Sequence, residues 1–145
     1  MIRLPILPQI ILAILLFACN SNQSTPSKES INELDLKKGE IISCGIQNNQ
    51  FGVVNFEIIG DENLKHEFNL AVELLHSFEY DESEKAFAKI IDEHPDCAMA
   101  YWGVAMCNFH ALWTPPTEAE LEKGSKAIAI AKSINTKNKK RSRIY

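Results

Sequence analysis

Several signatures of chemistry are missing from this chain. It holds no glycine-rich phosphate loop, no HExxH, no CxxC and no GxSxG. Those absences argue against a P-loop or dinucleotide cradle, a zincin-type metal helix, a paired-cysteine centre and a nucleophile elbow. Long apolar runs are scarce too. The extended uncharged stretch, residues 4–18 (LPILPQIILAILLFA), is shorter than the roughly 20 residues that span a bilayer, and Pro5 and Pro8 interrupt its start. Positive charge is also in deficit, with 15 Lys and Arg against 19 Asp and Glu. Five of those positive charges (Lys137, Lys139, Lys140, Arg141 and Arg143) crowd the last nine residues, which leaves the remainder at −9. So acidic a body argues against nucleic acid, and the basic tail reads as a solvated connection between helices.

What is present begins with a leader. Arg3 supplies a short charged region, residues 4–18 an apolar one, and the small Ala18 precedes Cys19. This is the plan of an exported, cleaved signal. Leu16-Phe17-Ala18-Cys19 resembles the bacterial lipoprotein processing box, with a bulkier residue than usual at Phe17. The resemblance implies lipidation of Cys19, with the membrane held through that anchor. Asn20, not aspartate, follows the cysteine, which implies the periplasmic face of the outer membrane. Export places the three remaining cysteines, Cys44, Cys97 and Cys107, where a disulfide persists. An odd number allows at most one internal pair among three pairings. Cys44–Cys97 is the expected one, because Cys107 lies among Ala105, Met106 and Phe109 and reads as a small buried hydrophobe.

Residues 19–40 are rich in Ser, Asn and Lys and read as a flexible tether. Residues 41–63 change character. Ile41-Ile42-Ser43-Cys44 and Phe51 to Ile59 are β-branched and aromatic, predicting short strands or extended segments that must pack on helices. From Leu64 the apolar period lengthens. Leu64, Phe68, Ala71, Leu75 and Phe78 fall on one helical face. Asp81 with Glu84 predicts a capped second helix carrying Ala86, Phe87, Ile90 and Ile91, ended by Pro95. A third helix is expected from about Asp96 or Cys97 to His110, with Ala98, Tyr101, Ala105 and Phe109 as candidates for its packing stripe. After the Trp113-Thr114-Pro115-Pro116 loop, Thr117 and Glu120 form a capping-box pattern. The helix it opens should bury Leu121, Gly124, Ile128 and Ala131 and close at Asn135-Thr136.

With Pro95 at its terminal proline, residues 64–97 resemble a tetratricopeptide repeat. Leu70, Ala71 and Leu74 take the packing positions of its first helix, Tyr80 the turn tyrosine, and Phe87 and Ile90 the second helix. Ser83 replaces the preferred alanine and Glu67 the preferred tryptophan. Residues 98–136 continue as a second repeat. Tyr101, Val104 and Ala105 match, and Gly124, Ile128 and Ala131 return to register after an insertion around 112–118. The strings LLHSFEY, CAMAYWGVAM and LWTPPTEAEL resemble bacterial tetratricopeptide-repeat lipoproteins over residues 41–145.

The resemblance implies an all-α antiparallel helix-pair array (an α-solenoid) with a short extended N-terminal segment, no assigned enzymatic activity, and a protein or peptide partner. Members are much longer, so residues 137–145 read as the opening of a third repeat and the chain as an N-terminal piece. Two uncapped repeats imply marginal stability. The family's register implies a partner groove formed by the first helices. It comprises Lys65, Phe68, Val72, Leu75 and His76, then Met99, Trp102, Met106, Phe109 and His110. Such apolar, methionine-bearing surfaces suit peptide segments. The competing expectation is that these residues pack on the 41–59 segment or on further repeats.

Cys107 and His110, three apart on a helix, could share a metal with Cys97 and His76, but the tight ligand pairs that mark zinc sites are absent. Glu118, Glu120 and Glu122 suit a helix N-terminus without any catalytic role. No catalytic residue and no cofactor is expected. The alternatives are a metal-binding or enzymatic protein whose site extends into a C-terminal region beyond Tyr145, or a truncated product without an independent role.

Overall fold

The computed structural model describes residues 25–42, 52–58, 62–110, 112 and 114–141. The leader, Cys19 and Cys44 lie outside these residues. Every regular element among the described residues is an α-helix. They are α1 (Lys28–Asn32), α2 (Glu62–His76), α3 (Tyr80–Glu93), α4 (Ala98–Asn108) and α5 (Glu118–Arg141). The protein is all-α in this region. No helix among the described residues is long and apolar enough to cross a membrane.

Consecutive long helices pack on one another, α2 on α3, α3 on α4 and α4 on α5, and α2 also touches α4. One core runs through all of them. Leu64, Phe68, Ala71 and Leu74 from α2 meet Phe87, Ile90 and Ile91 from α3, Tyr101 and Val104 from α4, and Ala127, Ala131 and Ile134 from α5. Phe68 sets its ring edge-on to Phe87 with centroids 5.6 Å apart. The turn before α4 is tied by the Tyr101 hydroxyl, which donates to the Pro95 carbonyl at 2.9 Å.

Several elements depart from the sequence expectations. Phe78 does not extend the α2 face. The helix stops at His76, and Phe78 sits in the left-handed region at φ 65°. The Glu79 N–H donates to the Leu74 carbonyl (3.0 Å) and the Phe78 N–H to the Leu75 carbonyl (3.3 Å), which closes the helix end with paired 6→1 and 5→2 bonds. The Asp81–Glu84 box does not form. Glu79 is the N-cap, and it makes no side-chain capping bond. Asp81 pairs instead with Lys37, while Glu84 turns into the interior.

In α5 the buried stripe is Ala127, Ala131 and Ile134, whereas Leu121 is 48% exposed. The helix also runs past Asn135 and Thr136 to Arg141. Neither residue is a strong helix breaker, and lysine and arginine favour helix. The Thr117–Glu120 box, by contrast, forms in both directions. The Thr117 N–H donates to Glu120 Oε2 at 2.7 Å, and the Glu120 N–H to Thr117 Oγ1 at 3.3 Å.

The expected tether is also partly ordered. Residues 25–42 make a strap along α3, opened by the short α1 with Ser27 as its cap. Leu34 is fully buried in the core, with Ile31 and Leu36 packed beside it. Lys38 pairs with Asp92 at 2.7 Å, the Ile42 N–H donates to Glu82 at 2.8 Å, and the Lys85 ammonium donates to the Glu40 carbonyl. Three apolar side chains among polar neighbours suffice to dock a polar-looking segment.

Residues 52–58 form no strand, and 43–51 lie outside the described residues. Their alternating pattern is nonetheless used. Val54 and Ile58 pack on the core, and Phe56 sets its ring 5.5 Å from Phe68, while Val53, Asn55 and Glu57 face outward. The period of two is that of a strand, but its partner is a helix.

Candidate functional site

The ten residues expected to line one groove divide into four environments. Phe68 and Val72 are buried in the core and present no open surface. Phe68 lies between Phe56 and Phe87. Leu75 is half-buried and His76 exposed, and Lys65 pairs with Glu62 at 2.8 Å. On α4, Met99, Trp102 and Met106 are half-buried, and Phe109, just past the helix end, is 55% exposed. Beside this row, an open cleft of about 400 Å³ runs between α4 and α5. Met106, Phe109, Leu121, Gly124 and Ile128 are among its walls. Leu121, Gly124 and Ile128, expected in the interior, therefore face this cleft.

His110 belongs to a polar corner. Its Nε2 lies 3.0 Å from Glu120 Oε1, and its ring stands 5.3 Å from that of Tyr80, which in turn meets Phe78 edge-on at 6.3 Å. The hydrogen bond to Glu120 raises the His110 pKa above its ordinary value. Glu120 is drawn down to about 2, first by His110 and then by the two bonds from Thr117. A raised histidine pKa stabilises fully below about 6.5 and loses its contribution as pH climbs through the folded value. A depressed glutamate pKa stabilises above about 4.5 and loses its contribution as pH falls toward about 2. Both describe one interaction. The loss of melting temperature on His110→Gln is therefore expected to be greatest between about pH 4.5 and 6.5 and to fade at higher pH. A loss unchanged from pH 5 to 9 would sink the assignment.

The candidate metal ligands diverge. Cys107 is buried, and its thiol donates to Ser83 Oγ at 3.2 Å, which donates on to the Ala71 carbonyl at 2.8 Å. Burial pushes that thiol up to about 12, which leaves it unreactive at neutral pH. Cys97 is a half-buried free thiol whose pKa is also raised by burial. Its expected partner, Cys44, lies outside the described residues. Among the described residues, no three His, Cys, Asp or Glu side chains converge as metal ligands.

Two clusters escaped sequence reasoning. The first centres on Glu84, which is 1% exposed. Its Oε1 accepts from the Lys37 N–H (2.9 Å) and the Lys123 ammonium (2.6 Å), and its Oε2 from Asn108 Nδ2 (2.9 Å). Lys123 also donates to the Asp35 carbonyl, so the strap, α3, α4 and α5 meet at one carboxylate. Nothing local marks a glutamate in a charged run YDESEK as buried. The second cluster is Asn69 with Glu73 on α2. Asn69 Oδ1 accepts from the Phe56 N–H at 2.8 Å, and Glu73 Oε1 from the Val54 N–H at 3.3 Å. Their spacing of four residues is legible in the sequence, but their pairing with the backbone of the extended segment 52–58 is not.

The described region is therefore an all-α packing of successive helices, with a half-buried apolar row on α4 that ends at the exposed Phe109. No protein-family model, curated protein sequence or solved structure matches the chain.

Proposed function

We propose that this chain is a non-enzymatic, tetratricopeptide-like helical scaffold. It is anchored by lipid at Cys19 and binds a protein or peptide partner at the bacterial cell envelope, on the periplasmic face of the outer membrane. The observation that carries this reading is the half-buried row of Met99, Trp102 and Met106, ended by the exposed Phe109, beside the α4–α5 cleft. An apolar row left partly in solvent suits a contact site, and tryptophan and methionine supply anchoring area and adaptability. Contact between α2 and α4, the first helices of successive pairs, supports the repeat reading.

The test uses the full chain in a bacterial host, with a photo-crosslinking residue at Trp102 and, as control, at the exposed Glu93. A discrete adduct is expected from position 102 alone, lost when Met99 and Met106 are both changed to aspartate. Adducts of equal yield from both positions, or none from 102, would overturn the binding surface. Cys19→Ser is expected to move the protein out of the membrane fraction, and full retention would overturn the anchor.

A further inference from the structure

The face of α2 that should carry half of the groove is already occupied by the chain itself. Two backbone N–H groups, two residues apart at Val54 and Phe56, are held by two side chains four residues apart at Glu73 and Asn69. The spacings match. Two residues of extended chain advance about 6.6 Å, and four residues of helix about 6 Å. The side chains between these bonds alternate, with Val54, Phe56 and Ile58 toward the helices and Val53, Asn55 and Glu57 outward. This is how a protein reads an extended peptide. Main-chain hydrogen bonds hold the strand, and alternate side chains enter apolar contacts.

The hold is slender. Phe56 remains 40% exposed and Val53 88% exposed. Within 52–58, only these two N–H bonds to side chains are recorded, with no strand ladder.

We infer that residues 52–58 are a displaceable internal ligand that masks the α2 face. A partner segment of the same chemistry would gain access to Asn69, Glu73 and Phe68 by displacing them. That segment is extended, with β-branched or aromatic residues at alternate positions and two free N–H groups on one edge. The internal segment lowers the apparent affinity of any such partner by the fraction of time the face is open. This inference rests on the scaffold reading, but it concerns α2, whereas the crosslinking test addresses α4. Either can fail without the other.

The experiment uses the full chain and a fluorescently labelled peptide with the sequence of residues 52–58, GVVNFEI. Binding is followed by anisotropy to the native chain and to an unmasked variant carrying Val54→Asp and Phe56→Ala. The expected result is at least about tenfold tighter binding to the unmasked variant, the gain anticipated if the native face is closed about nine-tenths of the time or more. Adding Asn69→Ala should weaken that binding by about fivefold, the scale of one lost hydrogen bond. A folded unmasked variant that fails to bind the peptide, or binds it no better than the native chain does, overturns the inference.

Should the unmasked variant not fold, amide exchange of the native chain decides. The Val54 and Phe56 amides are expected to exchange through a local opening, at least about a hundredfold faster than the α3 core amides around Phe87. Exchange of both in step with that core would make 52–58 an integral part of the fold and would overturn the inference.

Discussion

Replacing Glu84 with alanine is expected to lower the unfolding free energy by about 3 kcal/mol, near the lower end of the range for removing one partner of a buried ion pair. The side chain is 1% exposed and accepts from three donors on three different segments. Its loss strands the Lys37 N–H and removes one acceptor each from Lys123 and Asn108. The cost stays near the lower end because both retain a second partner, Lys123 at the Asp35 carbonyl and Asn108 Nδ2 at the Val104 carbonyl. Lys123 also keeps some access to water, with a side chain 16% exposed.

Urea denaturation of the purified chain checks the magnitude, and a loss under about 1 kcal/mol would place the carboxylate outside the stabilising network. The variant should also free the strap, because the Lys37 and Asp35 backbone contacts both run through this centre. Limited proteolysis within residues 35–42 is expected to quicken more than cleavage in α3. The double change Glu84→Ala with Lys123→Ala should cost less than the sum of the two single changes, because the second removal no longer strands a charge.

Gly103→Ala is the second large effect. An added Cβ would collide with Phe87 Cζ, Cε1 and Cε2. The ring cannot swing aside, because Phe87 is fully buried and has Phe68 edge-on against it. Overpacking of a closed core costs about 1–3 kcal/mol and at times more. The alanine's better helix propensity returns about 1 kcal/mol. A net loss of about 2 kcal/mol is expected from the upper part of that range.

Gly124→Ala is the matched control. Its Cβ would meet the Ala105 backbone and Cβ at 3.5–3.8 Å, ordinary contact, so the same change there should stabilise by up to about 1 kcal/mol. Thermal melts of the two variants should move in opposite directions. If both rise, α4 and α3 are not in the close contact that Gly103 implies. Combining Gly103→Ala with Phe87→Leu should recover part of the loss, because the smaller side chain vacates the space.

The two glycines mark the limit of what a sequence conveys. Both stand inside helical patterns, where a glycine by itself signals only a mild weakness. Only the packing of α4 against Phe87 makes one of them indispensable. The same holds for Glu84 in its charged run, and for Leu34 inside a segment whose composition reads as a tether. For Glu84 and Leu34 the neighbours in sequence describe solvent, while the neighbours in space are core.

The β-like alternation of 52–58 is a different kind of case. The period was legible and its alternate residues do divide inward from outward. What it lacked was a partner, and no strand pattern announces that the partner will be Asn69 and Glu73 on a helix. That substitution also explains why Phe68, expected on an open groove, is buried under Phe56.

Helices α2 to α5, the turn at Pro95, the Thr117–Glu120 cap and most of the buried apolar residues follow from local causes. Hydrophobic period, proline and capping chemistry act over a few residues, so sequence alone determined them. Tertiary structure decided the docking of the strap and 52–58, the buried carboxylate at the meeting of four segments and the face of α5 turned inward. Those outcomes depend on which surfaces meet across 13 to 88 residues of chain, from the bond between Phe56 and Asn69 to that from Lys123 to the Asp35 carbonyl. Such contacts are selected by shape and by the satisfaction of buried polar groups, and a local pattern carries neither.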